Sequence, residues 1–200
     1  MFAWYSRLQA SLHHTEGLPL LLLRLYLTPV LLQAGWNKYL HFADTVAWFG
    51  DVDYGLGLPF PTLLAALAIG AEIGGSLLLL FGLFTRLAAF TLAITMLVAM
   101  ATVHAKNGWL AISDASSWLA DGTLLHSERI LAAPEKLQRA RDLLQEHGNY
   151  DWLTESGNLV VLNNGIEFAA TYFVMLLCLL WFGGGRYLSL DYYLPRGNLN

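Results

Sequence analysis

Apolar positions collect in four long stretches, residues 18–34, 61–81, 87–103 and 166–182, each nearly free of charge. Runs of about 17–21 apolar residues match the roughly 30 Å of hydrocarbon that a membrane helix crosses. The pattern predicts four transmembrane helices. The first covers about residues 19–39 and carries Pro29 as a kink; Pro19 sits in its first turn, where proline is tolerated. The second runs from near Pro61 to Gly82 and the third from about residue 86 to 105. So short a link makes these two antiparallel neighbours. The fourth covers about residues 164–182 and stops at Gly183-Gly184-Gly185.

Mixed and polar segments frame these helices. Residues 1–17, with Phe2, Trp4, Tyr5 and Arg7, form an amphipathic lead suited to a membrane surface. Residues 40–60 are expected to form a loop or a short interfacial helix, and residues 186–200 a tail. Residues 106–162 form a long polar insertion. It holds an amphipathic helix over 134–147, with Leu137, Ala140, Leu143 and Leu144 on one side, and a short helix over 113–120. The predicted fold class is an all-α membrane protein. It is a four-transmembrane-helix bundle with a helical extramembrane insertion between helices three and four, all one domain over residues 1–200.

Composition agrees: only 13% of residues are charged, about half of what a soluble domain carries. A net charge of −4 with no basic cluster offers nothing to a nucleic-acid backbone. Cys178 is the single cysteine, so neither an intramolecular disulfide nor a CxxC dithiol exists, and it reads as a small core residue. Arg24 interrupts the first stretch and no small-x-small site follows it, so this stretch reads as a retained helix and not a signal peptide. Arg7, Arg86, Arg186 and Arg196 fall on one side of the predicted membrane. Lys38 and Lys106 fall on the other, beside Asp44, Asp51 and Asp53. That bias predicts cytoplasmic termini and a periplasmic insertion, in a bacterial inner membrane.

Ionisable residues within or at the end of apolar spans are costly and usually mark function. Here they are Arg24, Glu72, His104 and Glu167. Helical rise places Arg24 about 10 Å from the inner surface and Glu72 about 14 Å above its helix's inner end. An Arg24–Glu72 ion pair is therefore expected, as a buried pair or a proton-handling one. Arg24, Thr28, Leu31, Gly35 and Lys38 share one stripe of the first helix. Ala65, Ala68, Glu72, Gly75 and Ser76 share one of the second. Gly70 and Gly74 add a second ridge of small residues, a packing device that permits a dimer without requiring one.

A second polar group is predicted at the outer ends. His104, Glu167, Lys38, Trp36 and Asn37 would line an outward-facing pocket, with Asn163, Asn164 and Trp109 nearby. The two tryptophans also fit an interfacial aromatic belt. Met96, Met100 and His104 stand at i, i+4 and i+8. Thioether and imidazole donors suit Cu(I), and the same spacing suits ordinary core methionines. His13, His14, His41, His126 and His147 lie outside the spans, which leaves no bis-histidine haem site in the bundle. No glycine-rich nucleotide motif or serine-nucleophile motif is present.

Several of these motifs together resemble the DoxX family of small membrane proteins. They are Arg24, Gly35-Trp36-Asn37-Lys38, Glu72-Ile73-Gly74-Gly75, Phe81-Gly82-Leu83-Phe84-Thr85-Arg86, His104, and Gly183-Gly184-Gly185-Arg186-Tyr187-Leu188-Ser189-Leu190-Asp191. The insertion, Asn163-Asn164-Gly165-Ile166-Glu167-Phe168 and Ser189-Leu190-Asp191-Tyr192-Tyr193 resemble one branch of that family. The branch is associated with maturation of copper-binding, ribosomally made modified peptides. That resemblance implies an accessory in copper handling, or in a redox step, with the modified peptide or a redox protein as partner. More distant relatives imply a subunit of a quinone-linked membrane oxidoreductase. A membrane scaffold whose buried charges only fix helix register is the third reading. Copper and quinone are thus the cofactors to consider, and catalysis itself is left open.

Overall fold

The computed structural model describes residues 3–120 and 128–194. Phe2, His126 and Arg196 lie outside the described residues. Of the described residues 72% are helical and none forms a strand. It divides into two compact units, residues 1–97 with 172–200, and residues 98–171.

The first unit opens with α1 (Ala3–Thr15) and α2 (Gly17–Leu40), which continues through Pro29. The segment after it holds a short helix, α3 (Phe42–Gly50), before α4 (Pro61–Phe81). Between α3 and α4 the Asp51 carboxylate accepts the N–H groups of Tyr54 and Asp53, each at 2.8 Å. Those donors, Tyr54 foremost, hold its carboxyl below the usual aspartate range.

Pro61 starts α4, where its missing N–H costs nothing. Gly82 ends it in the left-handed region (φ 59°). The Leu83 N–H reaches back to the Leu78 carbonyl at 3.0 Å and the Gly82 N–H to Leu79 at 3.1 Å, the paired bonds of a Schellman closure. α5 (Thr85–Ala99) follows at once, as the short link predicted. Its N-terminus is capped from far along the chain. Asp191 Oδ1 accepts the Phe84 N–H at 2.7 Å and Oδ2 the Thr85 N–H at 2.8 Å.

Side chains recurring at helical spacing build the core: Leu27 and Leu31 from α2, Leu79 from α4, and Ala88, Leu92 and Met96 from α5. Leu176 and Leu179 join them from α9 (Glu167–Phe182). Glycines set the closest approaches. A Cβ on Gly35 would stand 2.8 Å from Glu72 Cβ, and one on Gly75 would stand 2.9 Å from Leu92 Cγ. Large apolar side chains such as Leu22, Leu63, Leu67, Phe90 and Ile94 face outward. Apolar exteriors are what lipid requires and water does not.

Among the described residues three helices are long and apolar enough to cross a membrane: Leu12–Leu40, Pro61–Phe81 and Thr85–Asn107. The fourth apolar helix has 16 residues, about 24 Å at the helical rise. It starts at Glu167 and not near the expected Asn164, because residues 163–167 are engaged elsewhere. The Asn163, Gly165, Ile166 and Glu167 N–H groups bond to carbonyls of Ala111, Leu110, Gly108 and Trp109, and Asn164 turns left-handed (φ 59°).

That weld anchors the second unit. Ile112 and Leu162 form an isolated antiparallel bridge. The helix expected over residues 113–120 is a run of turns, because Asp114 Oδ1 takes the Ser116 N–H and hydroxyl and competes with helical bonding. The amphipathic helix over residues 134–147 is present as α7 (Ala133–His147), between the short α6 (Glu128–Leu131) and α8 (Tyr150–Thr154). Leu137 and Leu144 of α7 are half-buried, whereas Ala140 and Leu143 are exposed.

Candidate functional site

Arg24 and Glu72 are both buried, and they do not pair with each other. Arg24 is fully enclosed. Its Nε donates to the Leu79 carbonyl at 2.7 Å. Nη1 donates to Gly184 at 3.0 Å and Tyr187 at 3.1 Å, and Nη2 to Leu80 at 2.9 Å and Leu188 at 2.6 Å. A guanidinium has five N–H donors, and each finds a backbone oxygen. Two of the acceptors lie in the last turn of α4, where the helix dipole is negative. Gly82 leaves the space: a Cβ there would stand 2.7 Å from Arg24 Cζ. Phe84 (φ 47°) and Leu188 (φ 47°) are held left-handed beside this cage, a strained conformation that costs about 1–2 kcal/mol per residue.

Glu72 has Lys38 as its partner. Lys38 Nζ lies 2.6 Å from Oε2 and 2.8 Å from Oε1. The Glu72 side chain is 5% exposed and that of Lys38 28%. Helix register explains both outcomes. Gly35 packs against Glu72, so Lys38 lies one turn beyond. Helical side chains lean toward their own N-terminus, which returns the ammonium to the Glu72 level. Arg24, eleven residues before Gly35, falls level with the end of antiparallel α4, where carbonyls are waiting. Depth counted from the apolar ends of α2 sets Arg24 too near Glu72, because α2 extends about two turns past the α4–α5 turn.

The predicted stripe on α2 is otherwise observed, with Arg24, Thr28, Leu31 and Gly35 buried. On α4, Ala65, Glu72, Gly75 and Ser76 are buried. The Thr28 hydroxyl donates to the Arg24 carbonyl at 2.7 Å, and the Ser76 hydroxyl bonds to the Glu72 carbonyl. The Ser76 hydroxyl is thus spent on its own helix, while Thr28 also reaches across to the Ser76 carbonyl at 3.4 Å. Gly70 and Gly74 turn away from this face, and a methyl group at either would meet nothing within 4 Å.

Of the residues expected to share an outer pocket, Trp36, Asn37 and Lys38 belong to the first unit, and His104 and Glu167 to the second. Trp36 is exposed and lies 5.5 Å from Tyr39, ring to ring; Asn37 is also exposed. In the second unit, His104 Nδ1 lies 2.9 Å from the Asn164 carbonyl. A carbonyl only accepts, so Nδ1 carries the proton, and in the neutral ring Nε2 keeps its lone pair. The Asn107 amide donates to the same oxygen at 3.0 Å and accepts from Arg129 Nη1 at 2.7 Å. The Asn163 amide donates to the Asn107 and Leu110 carbonyls, each at 2.6 Å. Glu167 Oε2 accepts the Ala111 N–H at 2.9 Å. Its carboxylate thus fastens a loop.

Met96 belongs to the first unit, and Met100 and His104 to the second. Met100–His104 is a π-helix, followed by a 3₁₀ turn over Ala105–Asn107. Met96 is buried in the apolar core. Among the described residues no group of three His, Cys, Asp or Glu converges as a metal site would need.

These features bear on what the chain is similar to. Residues 19–105 match the family model described as DoxX. An uncharacterised protein of Haemophilus influenzae is 31% identical over 98 residues, covering 47% of this chain and 62% of that protein. The chain therefore spans less than two thirds of that relative's length. No solved structure matches. The matched stretch contains Arg24, Lys38, Glu72 and all three membrane-length helices in large part, as expected of a multi-pass membrane protein. Residues 19–105, a little under half of the chain, are the part that resembles the DoxX family.

Proposed function

We propose that the Lys38–Glu72 pair handles protons for a membrane redox step, with the chain acting as a subunit of a quinone-linked oxidoreductase complex. The observation that carries this reading is the division of labour between the two buried charges. Arg24 is bound by five neutral carbonyls and keeps its proton at any working pH. Glu72 is held by one ammonium that is itself part-exposed. Both members of that pair can exchange a proton, and both sit on helices of membrane-spanning length. Reduction of a quinone to a quinol takes two electrons and two protons. A single cysteine supplies no dithiol, so a partner protein supplies the electrons. The ion pair holds one transferable proton, on Lys38, so it relays the two protons one at a time, each replaced from water at the part-exposed ammonium. Quinone reduction in membranes holding the chain and its redox partners tests this reading. Glu72→Gln is expected to lower turnover by about tenfold or more, within the range of a lost general acid–base group. Unchanged turnover at equal protein abundance would remove the proposal.

Copper handling is the second reading, favoured by the His104 tautomer. With Nδ1 fixed on the Asn164 carbonyl, Nε2 is free to accept a metal. A full resident centre does not fit the donors present, so this reading is of a passing Cu(I) contact during peptide maturation. Purified protein exposed to Cu(I) would then bind copper in proportion to protein, and His104→Ala would abolish it. Equal copper in both samples would end this reading.

A further inference from the structure

The first unit has a cavity of about 1320 Å³ among the α1–α2 corner, the α4–α5 turn and the end of α9. Its wall carries two arginines, Arg86 and Arg186, and the carboxylate of Glu16. Arg86 is exposed and spends one N–H on the Trp181 carbonyl at 3.1 Å. Arg186 spends one on the Tyr187 hydroxyl at 2.8 Å, its guanidinium 4.8 Å from that ring's centroid. Among the described residues neither has a carboxylate within ion-pair distance. Asp191 is also on the wall, but both its oxygens are taken by the Phe84 and Thr85 N–H groups. Glu16 is largely exposed, with His13 Nδ1 3.6 Å away. Phe84, Leu87 and Phe182 form apolar shoulders and are themselves exposed.

We infer that this cavity seats a phosphoethanolamine headgroup of a membrane phospholipid. The two guanidiniums retain unspent N–H donors in the planar geometry that suits phosphate oxygens. Glu16 offers an acceptor for a primary ammonium on the same molecule. The cavity lies where apolar helices end, at the depth of a headgroup, and the apolar shoulders take the glycerol and first acyl carbons. A headgroup with phosphate alone would leave Glu16 unmatched. A quaternary ammonium would have no N–H to give it.

The test titrates the full chain, purified in mild detergent, with phosphatidylethanolamine, phosphatidylglycerol or phosphatidylcholine and counts retained lipid by native mass spectrometry. Phosphatidylethanolamine is expected to be retained over the other two. Arg86→Gln with Arg186→Gln should weaken that retention by about tenfold or more, as the loss of charge-assisted bonds implies. Glu16→Gln should erase the preference for phosphatidylethanolamine over phosphatidylglycerol while keeping phosphate binding. Thermal unfolding of each variant shows that it is folded, and Arg86→Lys, which keeps the charge, should retain part of the binding. Equal retention of all three lipids by the unaltered protein would overturn the inference, as would unchanged retention by the double glutamine variant. Soluble phosphoethanolamine or inorganic phosphate displacing the lipid completely at equal concentration would assign the site to a free phosphate compound instead, and would also overturn it.

Discussion

Arg24→Lys should lower the melting temperature of the detergent-purified protein by on the order of 10 °C, although the charge is kept. Five carbonyls face the guanidinium. A lysine ammonium has three N–H donors on a flexible stem, so at least two of those oxygens lose their partner. Each buried acceptor left unmade costs about 1–3 kcal/mol, for a loss on the order of 2–6 kcal/mol. The usual rescue for a buried charge is to replace both partners with apolar groups of like shape. Here the partners are backbone carbonyls, which no substitution removes. Arg24→Met should therefore be worse than Arg24→Lys, since all five oxygens are orphaned. Light-scattering or fluorescence melts of the three proteins check the order. An Arg24→Lys protein melting within about 2 °C of the unaltered one would mean that the cage contributes little.

The extent to which this was legible in the sequence follows from what each interaction leaves in the residue pattern. Apolar runs and small-residue spacing located the membrane-length helices, the α4–α5 turn and the buried stripe containing Arg24, Thr28, Leu31 and Gly35. They could not reveal the Arg24 cage, because backbone carbonyls have no side-chain signature. The one available signal was indirect. Gly82 and the Gly183-Gly184-Gly185 run mark places where backbone comes close to something large. The partner of Glu72 was missed for a geometric reason. Depth was counted from the ends of apolar runs, whereas register is set by Gly35 packing on Glu72 and by the lean of the Lys38 side chain. The π-helix at Met100–His104 leaves no mark that periodicity can detect. The second unit is held by Asn107, Asn163 and backbone pairing between residues 108–113 and 161–167, a long-range weld with no helical or strand period to announce it.

Lys38→Met and Glu72→Gln should each destabilise the protein, Lys38→Met by about 3–5 kcal/mol, the cost of leaving a charge buried without its partner. The two effects should be unequal. Glu72 is 5% exposed and has nowhere to turn, whereas Lys38 is 28% exposed and can swing its ammonium toward water when Glu72 is neutralised. Lys38→Met is therefore the costlier change. The double variant removes both charges and should recover most of the lost stability, giving a large coupling energy in the cycle of four proteins. Denaturant unfolding of the purified proteins reads that coupling. Quinone turnover in the same double variant then separates chemistry from architecture. A pair that only fixes the register of α2 on α4 can be replaced by neutral side chains, and turnover returns with the fold. A pair that moves protons cannot be replaced in this way. The double variant would then be folded, abundant and inactive, and only restoring both ionisable groups would bring turnover back.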